Sequence, residues 1–444
     1  MLLLYISEKG SYIFFLEINF EAECKMEIKR DLYLKRLVER RQNGAIKVIT
    51  GIRRCGKSYL LFHLYKKYLL ENGVASDDII EIPLDDDDFE ALRDKKALSC
   101  FIKEHTSDFN KNYYIFLDEV QFCEGFEGVL NGLLRHENLD IYVTGSNSKF
   151  LSSDILTEFR GRGDEIRVRP FSFSEFFSAY NGERKSAWKD YITYGGLPRI
   201  LSCKSDEQKS KYLMDLFKNV YIKDIIERNR LKGDVIMENL VEVLASSVGS
   251  LTNPVKLANT FVSNGIKAND KTISSYIGYL EDSFLIEKAE RYDIKGKKYI
   301  NSKRKYYFCD NGLRNSLLNF REQELSHLME NILYNELLFR GYNVDVGVVE
   351  KYSVDQNGKQ SHNQLEIDFV CNFASSRCYI QSAYSIPSAE KLKQETASLD
   401  RVNDSFKKII VTADEINPYQ TEKGYYFINI IDFLLDDKML EKII

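Results

Sequence analysis

The stretch Ala45-Ile-Lys-Val-Ile-Thr50, followed by Gly51-Ile-Arg-Arg-Cys-Gly56-Lys57-Ser58, decides the fold of this chain. Its first six residues are largely apolar and β-rich, which is typical of a buried parallel strand. An apolar helical pattern, YLLFHLYKKYLL, follows the loop. A strand, a glycine-rich loop ending in Gly-Lys-Ser and a helix form the context in which such a loop binds phosphate groups. The sequence therefore predicts an α/β fold with a parallel sheet and a phosphate-binding loop.

Each residue type in this loop has a chemical reason to be there. Glycines let the backbone wrap around a phosphate without a Cβ in the way, and backbone N–H groups and the helix N-terminus face the anion. Lys57 is expected to reach the β- and γ-phosphates, and Ser58 to hold Mg²⁺ through its hydroxyl. A glycine-rich turn with an incidental lysine is the structural alternative. We predict that ATP and Mg²⁺ bind here, with contacts from Gly51, Ile52, Arg53, Arg54, Cys55, Gly56, Lys57, Ser58 and Tyr59.

A second motif lies about 60 residues downstream. Residues 113–117 (YYIFL) form an apolar, strand-like run that ends in Asp118-Glu119. Asp118 is expected to bind the magnesium ion, directly or through water, and Glu119 to polarise the attacking water. One further strand, residues 79–84, fits between the two motifs. This spacing places the chain in the branch of phosphate-loop ATPases that have an extra strand and a catalytic glutamate.

Residues after the next strand are candidates for sensing the γ-phosphate. The strand-like run 140–144 (DIYVT) precedes Ser146 and Asn147, either of which could be the sensor, with a helix cap as the alternative. Arg160 and Arg162 follow, ahead of a strand near residues 165–169. A guanidinium neutralises transition-state charge, so either arginine could complete the γ-phosphate site of a neighbouring subunit in a homo-oligomer. A surface arginine pair is the alternative.

The composition excludes several classes of protein. With 444 residues, 44% of them hydrophobic, and only 6 Pro, the chain is neither disordered nor collagen-like. Its length suggests roughly three domains. The 62 basic and 67 acidic residues give a net charge of −5, so any surface that binds nucleic acid must be local.

The sequence predicts neither a membrane partner nor an oxidising compartment. No apolar run reaches the roughly 18 residues that span a bilayer. None of the 8 cysteines pairs at the spacing of a zinc knuckle, so we expect a cytoplasmic protein with reduced thiols. Residues 1–25 are interpreted as an N-terminal extension, with an N-terminal strand as the alternative. They lack the basic start and the small-residue cleavage site of a signal peptide.

The chain resembles, from about residue 26 to its C-terminus, a large family of prokaryotic AAA-type ATPases. These proteins carry a C-terminal domain of unknown function related to restriction-endonuclease folds. The resemblance implies an ATPase core over 26–170, a helical lid over 171–235, a winged helix over 236–318 and an endonuclease-like domain over 319–444. It rests on ITGIRRCGKS (49–58), LDEVQ (117–121), TGSNS (144–148), GRGDE (161–165), PFSFSEF (170–176) and YGGLP (194–198).

The pattern over 236–312 is also, by itself, typical of a winged helix. Three helical segments, the third expected to be capped by Asp270, precede two strand-like runs around a glycine turn. Between Arg291 and Lys305 there are seven basic residues and one acidic residue, Asp293. A basic hairpin beside a capped helix predicts contact with duplex DNA through residues 271–305. The alternative is a protein-docking module whose edge lysines discourage aggregation.

The last domain offers part of an endonuclease site. Such folds place a helical Glu, a strand Asp and a Glu-x-Lys around Mg²⁺. Glu336 and Asp368 are the candidates for the first two, but Gln381 and Ala383 stand where the last two are needed. An amide is a poor Mg²⁺ ligand and alanine cannot position water. We therefore expect a binding domain that has lost catalysis.

Together these features predict an ATPase that hydrolyses Mg-ATP to drive or switch a C-terminal half that binds DNA or a protein. Two alternatives stay open. One is a nucleotide-gated signalling scaffold with negligible turnover, and the other is an ATP-dependent DNA nuclease.

Overall fold

The computed structural model describes residues 28–145, 159, 161–231, 235–321, 323–354 and 360–443. Ser146, Asn147 and Arg160, three of the predicted site residues, lie outside this described part of the chain. No helix among the described residues has the length and apolar character needed to cross a membrane.

The N-terminal part of the described chain is built on a parallel sheet of five strands in the order β2-β3-β4-β1-β5. Every residue of β1 is buried, as the sequence predicted. Apolar side chains cover both faces of the sheet, which explains why β1 and β3 are largely apolar runs without alternation. The strands are β1 (Ile46–Thr50), β2 (Ile79–Pro83), β3 (Tyr113–Asp118), β4 (Leu139–Thr144) and β5 (Gly163–Arg167).

Helices flank this sheet. The helix after the glycine-rich loop is α-helical at its two ends and π-helical over Leu60–Tyr65. The α-helical segments in this part are α1 (Asp31–Glu39), α2 (Lys57–Tyr59), α3 (Lys66–Glu71), α4 (Lys95–His105) and α5 (Phe126–Leu133).

The segment predicted as a helical lid is helical throughout much of its described length. Ser172 and Glu175 form a capping box that starts its first helix. Short 3₁₀ and π-helical turns at Pro198–Ser202 and Phe217–Ile222 connect the others. The α-helices are α6 (Phe173–Ser178), α7 (Arg184–Tyr194), α8 (Asp206–Leu216) and α9 (Lys223–Arg228).

The segment predicted as a winged helix begins with three helices followed by a hairpin. These are α10 (Val235–Ser246), α11 (Pro254–Ser263), α12 (Asp270–Asp282), β6 (Ile286–Asp293) and β7 (Lys298–Phe308). The capping prediction was wrong by one residue, because the side chain of Asn269 accepts the hydrogen bond from the backbone of Thr272 and Asp270 is the first helical residue.

The hairpin does not stand apart from the C-terminal part of the chain. β6 pairs in parallel with β8, so the hairpin is one edge of an eight-stranded sheet with the order β12-β13-β11-β10-β9-β8-β6-β7. The remaining strands are β8 (Asn343–Val354), β9 (Gln360–Phe373), β10 (Ser376–Ala383), β11 (Lys407–Thr412), β12 (Tyr419–Gln420) and β13 (Tyr425–Asn429). The remaining helices are α13 (Asn311–Leu317), α14 (Leu325–Phe339), α15 (Ala389–Thr396), α16 (Ile430–Leu435) and α17 (Met439–Ile443).

Candidate functional site

The glycine-rich loop joins β1 to α2, and its shape requires glycine at both ends. Gly51 has a φ of +137°, and a Cβ on it would lie 2.0 Å from the carbonyl oxygen of Val168, just after β5. Gly56 has a φ of +98° immediately before α2. Only glycine adopts these angles without strain, and at Gly51 only glycine fits the space.

The ammonium group of Lys57 lies inside the loop. Its Nζ donates hydrogen bonds to the carbonyl oxygens of Gly51, at 3.0 Å, and Ile52, at 3.1 Å. The side chain is 4% exposed. A full positive charge is therefore held at the loop, where a bound phosphate would need it.

Side chains from two other segments hold the loop from outside. Arg30 Nη1 donates to the carbonyl oxygen of Cys55 at 3.0 Å, and the same guanidinium forms two hydrogen bonds with the carboxylate of Glu175. The hydroxyl of Tyr221 donates to the carbonyl oxygen of Arg53 at 2.7 Å. The conformation of the loop thus depends on residues that precede β1 and on the lid segment.

The acidic pair at the end of β3 lies beside the loop, and one hydroxyl group orients both members. Thr144, the last residue of β4, donates its hydroxyl hydrogen to the carboxylate of Asp118. The same oxygen accepts a hydrogen bond from the backbone N–H of Glu119 at 3.0 Å. Ser58 also donates to Asp118, which brings the predicted Mg²⁺ ligands together. Gln121 donates its side-chain amide to the carboxylate of Glu119.

The electrostatics around Asp118 favour a bound cation. Burial raises the pKa of Asp118, and the neighbouring carboxylates of Glu119 and Asp85 raise it further. The hydrogen bonds from Thr144 and Ser58 act in the opposite direction. Excess negative charge in a buried place is stabilised by a cation, so these residues fit a magnesium ion.

The lid contributes charged residues that the sequence analysis missed. Asp224 on α9 forms ion pairs with Arg53 of the loop, at 3.2 Å, and with Arg228, at 2.9 Å. The charge of Glu119 influences the pKa of both Asp224 and Arg228, which places this cluster near the acidic pair. These residues follow the loop by more than 160 positions, and no local pattern links them to it.

A mainly apolar cavity adjoins the end of the loop. Gly56 and Tyr59 form one side of it, and Phe171, Pro198 and Leu201 contribute to the others. Tyr59 was predicted as a ligand-binding residue, and it is 43% exposed in this position. The segment Pro198–Ser202 begins at the proline of the Gly-Gly-Leu-Pro turn, residues 195–198.

Arg162 is the predicted arginine that the structure describes, and it is not near the loop of its own chain. Its carbonyl oxygen accepts a hydrogen bond from the backbone of Ile46, at the start of β1. The loop follows the other end of β1. The start and the end of parallel strands lie on opposite sides of the sheet, so Arg162 cannot reach the phosphate site of its own chain.

A second charged cluster lies in the C-terminal sheet. Nζ of Lys305, on β7, is 2.8 Å from a carboxylate oxygen of Glu330, 2.5 Å from one of Glu366 and 3.6 Å from one of Asp368. The lysine is 3% exposed, and the hydroxyl of Tyr307 also donates to Glu330. One buried ammonium thus compensates three carboxylates.

The prediction that Glu336 accompanies Asp368 was wrong. Glu336 forms an ion pair with Arg340 at 2.7 Å, whereas Glu330 is the helical carboxylate beside Lys305 and Asp368. Six residues turn an α-helix by about 600°, which leaves Glu336 about 120° away from the face of α14 that Glu330 occupies. The sequence offered two glutamates on this helix and no means of choosing the face.

The basic hairpin carries less free charge than the count of seven suggested. Lys305 is buried in the cluster, and Arg291 is buried with a hydrogen bond to Gln364. Arg304 is half-buried and pairs with Glu290 at 2.9 Å. The four exposed basic residues of this stretch are Lys295, Lys297, Lys298 and Lys303.

Among the residues that the structure describes, no three His, Cys, Asp or Glu side chains are arranged to hold a metal ion. The carboxyl groups around Lys305 are among these residues. A magnesium site at the loop would draw instead on one hydroxyl, one carboxylate and the nucleotide itself.

Two family models match the chain. One, described as an AAA domain, covers residues 43–177 and therefore contains the loop and the acidic pair. The other, described as Domain of unknown function (DUF8612), covers residues 185–324, which comprise most of the lid segment and the segment with the hairpin.

Relatives over the whole length carry no functional description. An uncharacterised protein of Haemophilus influenzae is 35% identical over 417 residues, covering 93% of this chain and 99% of the relative. An uncharacterised protein of Methanocaldococcus jannaschii is 26% identical over 422 residues, covering 89% and 88% of the two chains. A solved Walker-type ATPase of Pyrococcus abyssi is similar over 66% of this chain and 96% of its own, with 15% identity and a TM-score of 0.46.

Proposed function

Because the chain carries an AAA domain and belongs to the same family as the Haemophilus influenzae relative, we propose that it binds Mg-ATP and hydrolyses it. The observation that carries this proposal is the joint placement of Lys57 in the loop and of Ser58, Asp118 and Glu119 beside it. These are the groups that neutralise phosphate charge, hold the ion and activate water.

Each residue has its own role in this proposal. Lys57 and the loop backbone bind the phosphates. Ser58 and Asp118 hold Mg²⁺, which when bound neutralises charge on the phosphates. Glu119, oriented through its backbone by Thr144 and through its carboxylate by Gln121, accepts a proton from the attacking water. The apolar cavity beside Gly56 and Tyr59 receives the adenine ring of ATP, because a flat aromatic ring is stabilised by apolar walls.

Two substitutions test this assignment. Lys57→Ala should abolish tight binding of a fluorescent ATP analogue, because the charge inside the loop is lost. Glu119→Gln should keep that binding and slow phosphate release by about 10²-fold or more. Glu124→Gln, an exposed carboxylate a few residues away, is the matched control. If Glu119→Gln hydrolyses ATP at the normal rate, Glu119 is not the base. Tight binding with negligible turnover in the unmodified protein would favour the nucleotide-gated scaffold.

We infer further that the C-terminal half is what the ATP cycle drives or switches, and that it contacts duplex DNA. The support is the set of four exposed lysines on and beside the turn between β6 and β7. Steady-state ATP hydrolysis with and without duplex DNA, at low and moderate salt, tests this. A rise with DNA that salt removes supports phosphate contacts. A rate indifferent to DNA assigns this surface to a protein partner instead.

The Lys305 cluster favours binding without cleavage in the C-terminal sheet. Gln381 replaces a metal-binding carboxylate, and the only ammonium in the cluster is already paired with Glu330 and Glu366. We expect no nicking of supercoiled plasmid DNA in the presence of Mg²⁺ or Mn²⁺ and ATP. Nicking that disappears in Asp368→Asn would contradict this and support the nuclease.

A further inference from the structure

Side chains of α13 form hydrogen bonds with backbone carbonyl groups at the end of α7. The side-chain amide of Asn315 donates to the carbonyl oxygens of Ile192, at 3.2 Å, and Thr193, at 2.8 Å. Asn311 donates to the carbonyl oxygen of Ile192 at 3.4 Å. The last carbonyl groups of α7, which have no partners within their own helix, are satisfied in this way from the C-terminal half of the chain.

Asp310 completes this contact at the turn that follows α7. One of its carboxylate oxygens accepts a hydrogen bond from the backbone N–H of Gly196 at 2.7 Å. The other accepts one from the backbone N–H of Leu313 at 3.0 Å, which caps α13. Asp310 is 4% exposed, so both contacts are shielded from water. The residue is thus at once a helix cap and the anchor of the turn.

The two segments approach each other so closely that glycine is required on both sides of the contact. A Cβ on Gly195 would lie 2.1 Å from a carboxylate oxygen of Asp310, and one on Gly312 would lie 2.0 Å from the carbonyl oxygen of Tyr194. Such distances are far below van der Waals contact, so any side chain at these positions would force α7 and α13 apart. The Gly-Gly-Leu-Pro motif is therefore explained by what packs against it.

The anchored turn leads directly into the wall of the apolar cavity. Gly196 is two residues before Pro198, which lines the cavity together with Leu201. On the other side, the carbonyl oxygen of Gly196 accepts a hydrogen bond at 2.8 Å from the backbone of Phe171, which also lines the cavity. Two walls of the cavity are therefore fixed to the one short turn that Asp310 holds.

We propose that Asp310 is a positioning residue for the cavity that receives the base of the nucleotide, so that the C-terminal half completes the nucleotide site. The inference rests on the proposed binding of ATP at the loop. It gives the two halves of the chain a route of coupling, because a displacement of α13 moves the cavity wall and changes nucleotide affinity. By linkage, bound nucleotide must then resist the same displacement. α13 follows β7 directly, and β7 begins at the exposed lysines of the hairpin turn.

Asp310→Asn separates the two contacts of this residue. Asparagine keeps one oxygen, which can still cap α13, but turns an N–H₂ group towards the N–H of Gly196, where two donors now face each other. Asp310→Ser is the second variant, since serine also caps a helix but is too short to reach Gly196. Asp94→Asn is the matched control, because Asp94 caps α4 with two backbone hydrogen bonds and has no part in the cavity.

The readout must distinguish the cavity wall from a general loss of structure. Binding of ATP uses both the loop and the cavity, whereas binding of inorganic tripolyphosphate uses the loop alone. We expect Asp310→Asn and Asp310→Ser to weaken ATP binding by about tenfold, as one lost polar contact would, and to leave tripolyphosphate binding unchanged. The control should alter neither.

The outcomes are distinct. Equal weakening of ATP and tripolyphosphate would show that Asp310 only maintains the fold, and it would overturn the inference. Unchanged ATP binding in both variants would overturn it as well. If the unmodified protein binds neither ATP nor tripolyphosphate, the proposed binding of ATP is wrong, and the inference about Asp310 is wrong with it.

Discussion

At the scale of single residues, Thr144 connects the two acidic residues of the proposed chemistry. It lies outside the loop, yet its one hydroxyl group binds the carboxylate of Asp118 and the backbone of Glu119. The residue is fully buried, so water cannot replace these bonds. The proposed ion ligand and the proposed catalytic base are thereby held in place relative to each other by a neighbouring strand.

Thr144→Val should lower the rate of ATP hydrolysis by about 10²-fold with little change in ATP affinity. Valine fills nearly the same volume but leaves Asp118 and the N–H of Glu119 without their partner, and misplaced catalytic groups cost rate more than binding. Single-turnover hydrolysis and equilibrium binding measure the two quantities. Thr144→Ser, which restores the hydroxyl, should recover most of the rate. Equal rates for the valine and serine variants would show that the hydroxyl has no such role.

Lys305 is expected to have a large effect on the stability of the C-terminal sheet. Lys305→Met should lower the free energy of unfolding by about 3–5 kcal/mol, because it leaves the buried carboxyl groups of Glu330 and Asp368 and the half-buried one of Glu366 without a cation. Urea unfolding followed by circular dichroism measures the loss. Lys303→Met, on the same strand but exposed, should change stability by less than about 0.5 kcal/mol. Similar values for the two variants would mean that the ion pairs contribute no net stability.

At the scale of elements, the loop between β1 and α2 is held by what surrounds it. β5 approaches it at Gly51, the segment before α1 binds it through Arg30, and the lid binds it through Tyr221. A glycine-rich loop alone has many conformations, so these contacts supply the order that its sequence lacks.

Gly51→Ala should abolish binding of the fluorescent ATP analogue. A Cβ at this position would lie 2.0 Å from the carbonyl oxygen of Val168, so the loop or β5 must move. Gly73→Ala is the matched control, because Gly73 also has a left-handed φ, of +84°, but a Cβ there meets nothing within 4 Å. Both variants incur backbone strain, and only the first displaces the loop. Normal ATP binding by Gly51→Ala would show that the close approach is not needed for the site.

At the scale of the whole molecule, the segment over 236–318 and the segment over 319–443 share a sheet and a core. Besides the pairing of β6 with β8, the side chain of Asn331 on α14 exchanges two hydrogen bonds with the backbone of Phe308 on β7. Glu330 on the same helix accepts hydrogen bonds from Lys305 and Tyr307. The predicted boundary at residue 318 therefore crosses many buried contacts.

A fragment that ends at residue 318 should lose the folded hairpin, although it keeps the whole segment predicted as a winged helix. Without α14, the ammonium of Lys305 is left buried with no carboxylate, which is costly, or the strand must open to water. Hydrogen exchange resolved by mass spectrometry should show rapid exchange over residues 286–308 in the fragment and slow exchange in the full chain. Slow exchange in both would show that this segment is an independent domain.

Local sequence determined the strand, loop and helix around residues 45–71, the acidic end of β3 and the order of helical and strand segments along the chain. Each of these features is encoded within a few neighbouring residues. Apolar runs indicate buried parallel strands, and the glycines before Lys57 indicate a tight loop. That is why the amino-acid sequence alone predicts the loop and the acidic pair as a candidate site.

Only the tertiary structure decided which distant residues join that site and which leave it. Thr144 enters because β3 and β4 are neighbours in the sheet, and Asp224 enters because the lid brings it to Arg53 of the loop. Asp310 binds the turn from which the cavity wall continues. Arg162 lies at the opposite end of the strands from the loop of its own chain, so its role in the site of a neighbouring subunit stays a prediction. Glu330 replaces Glu336 because the rotation of a helix about its own axis is set by packing. Contacts of this kind depend on positions in space, which a pattern of nearby residues does not contain.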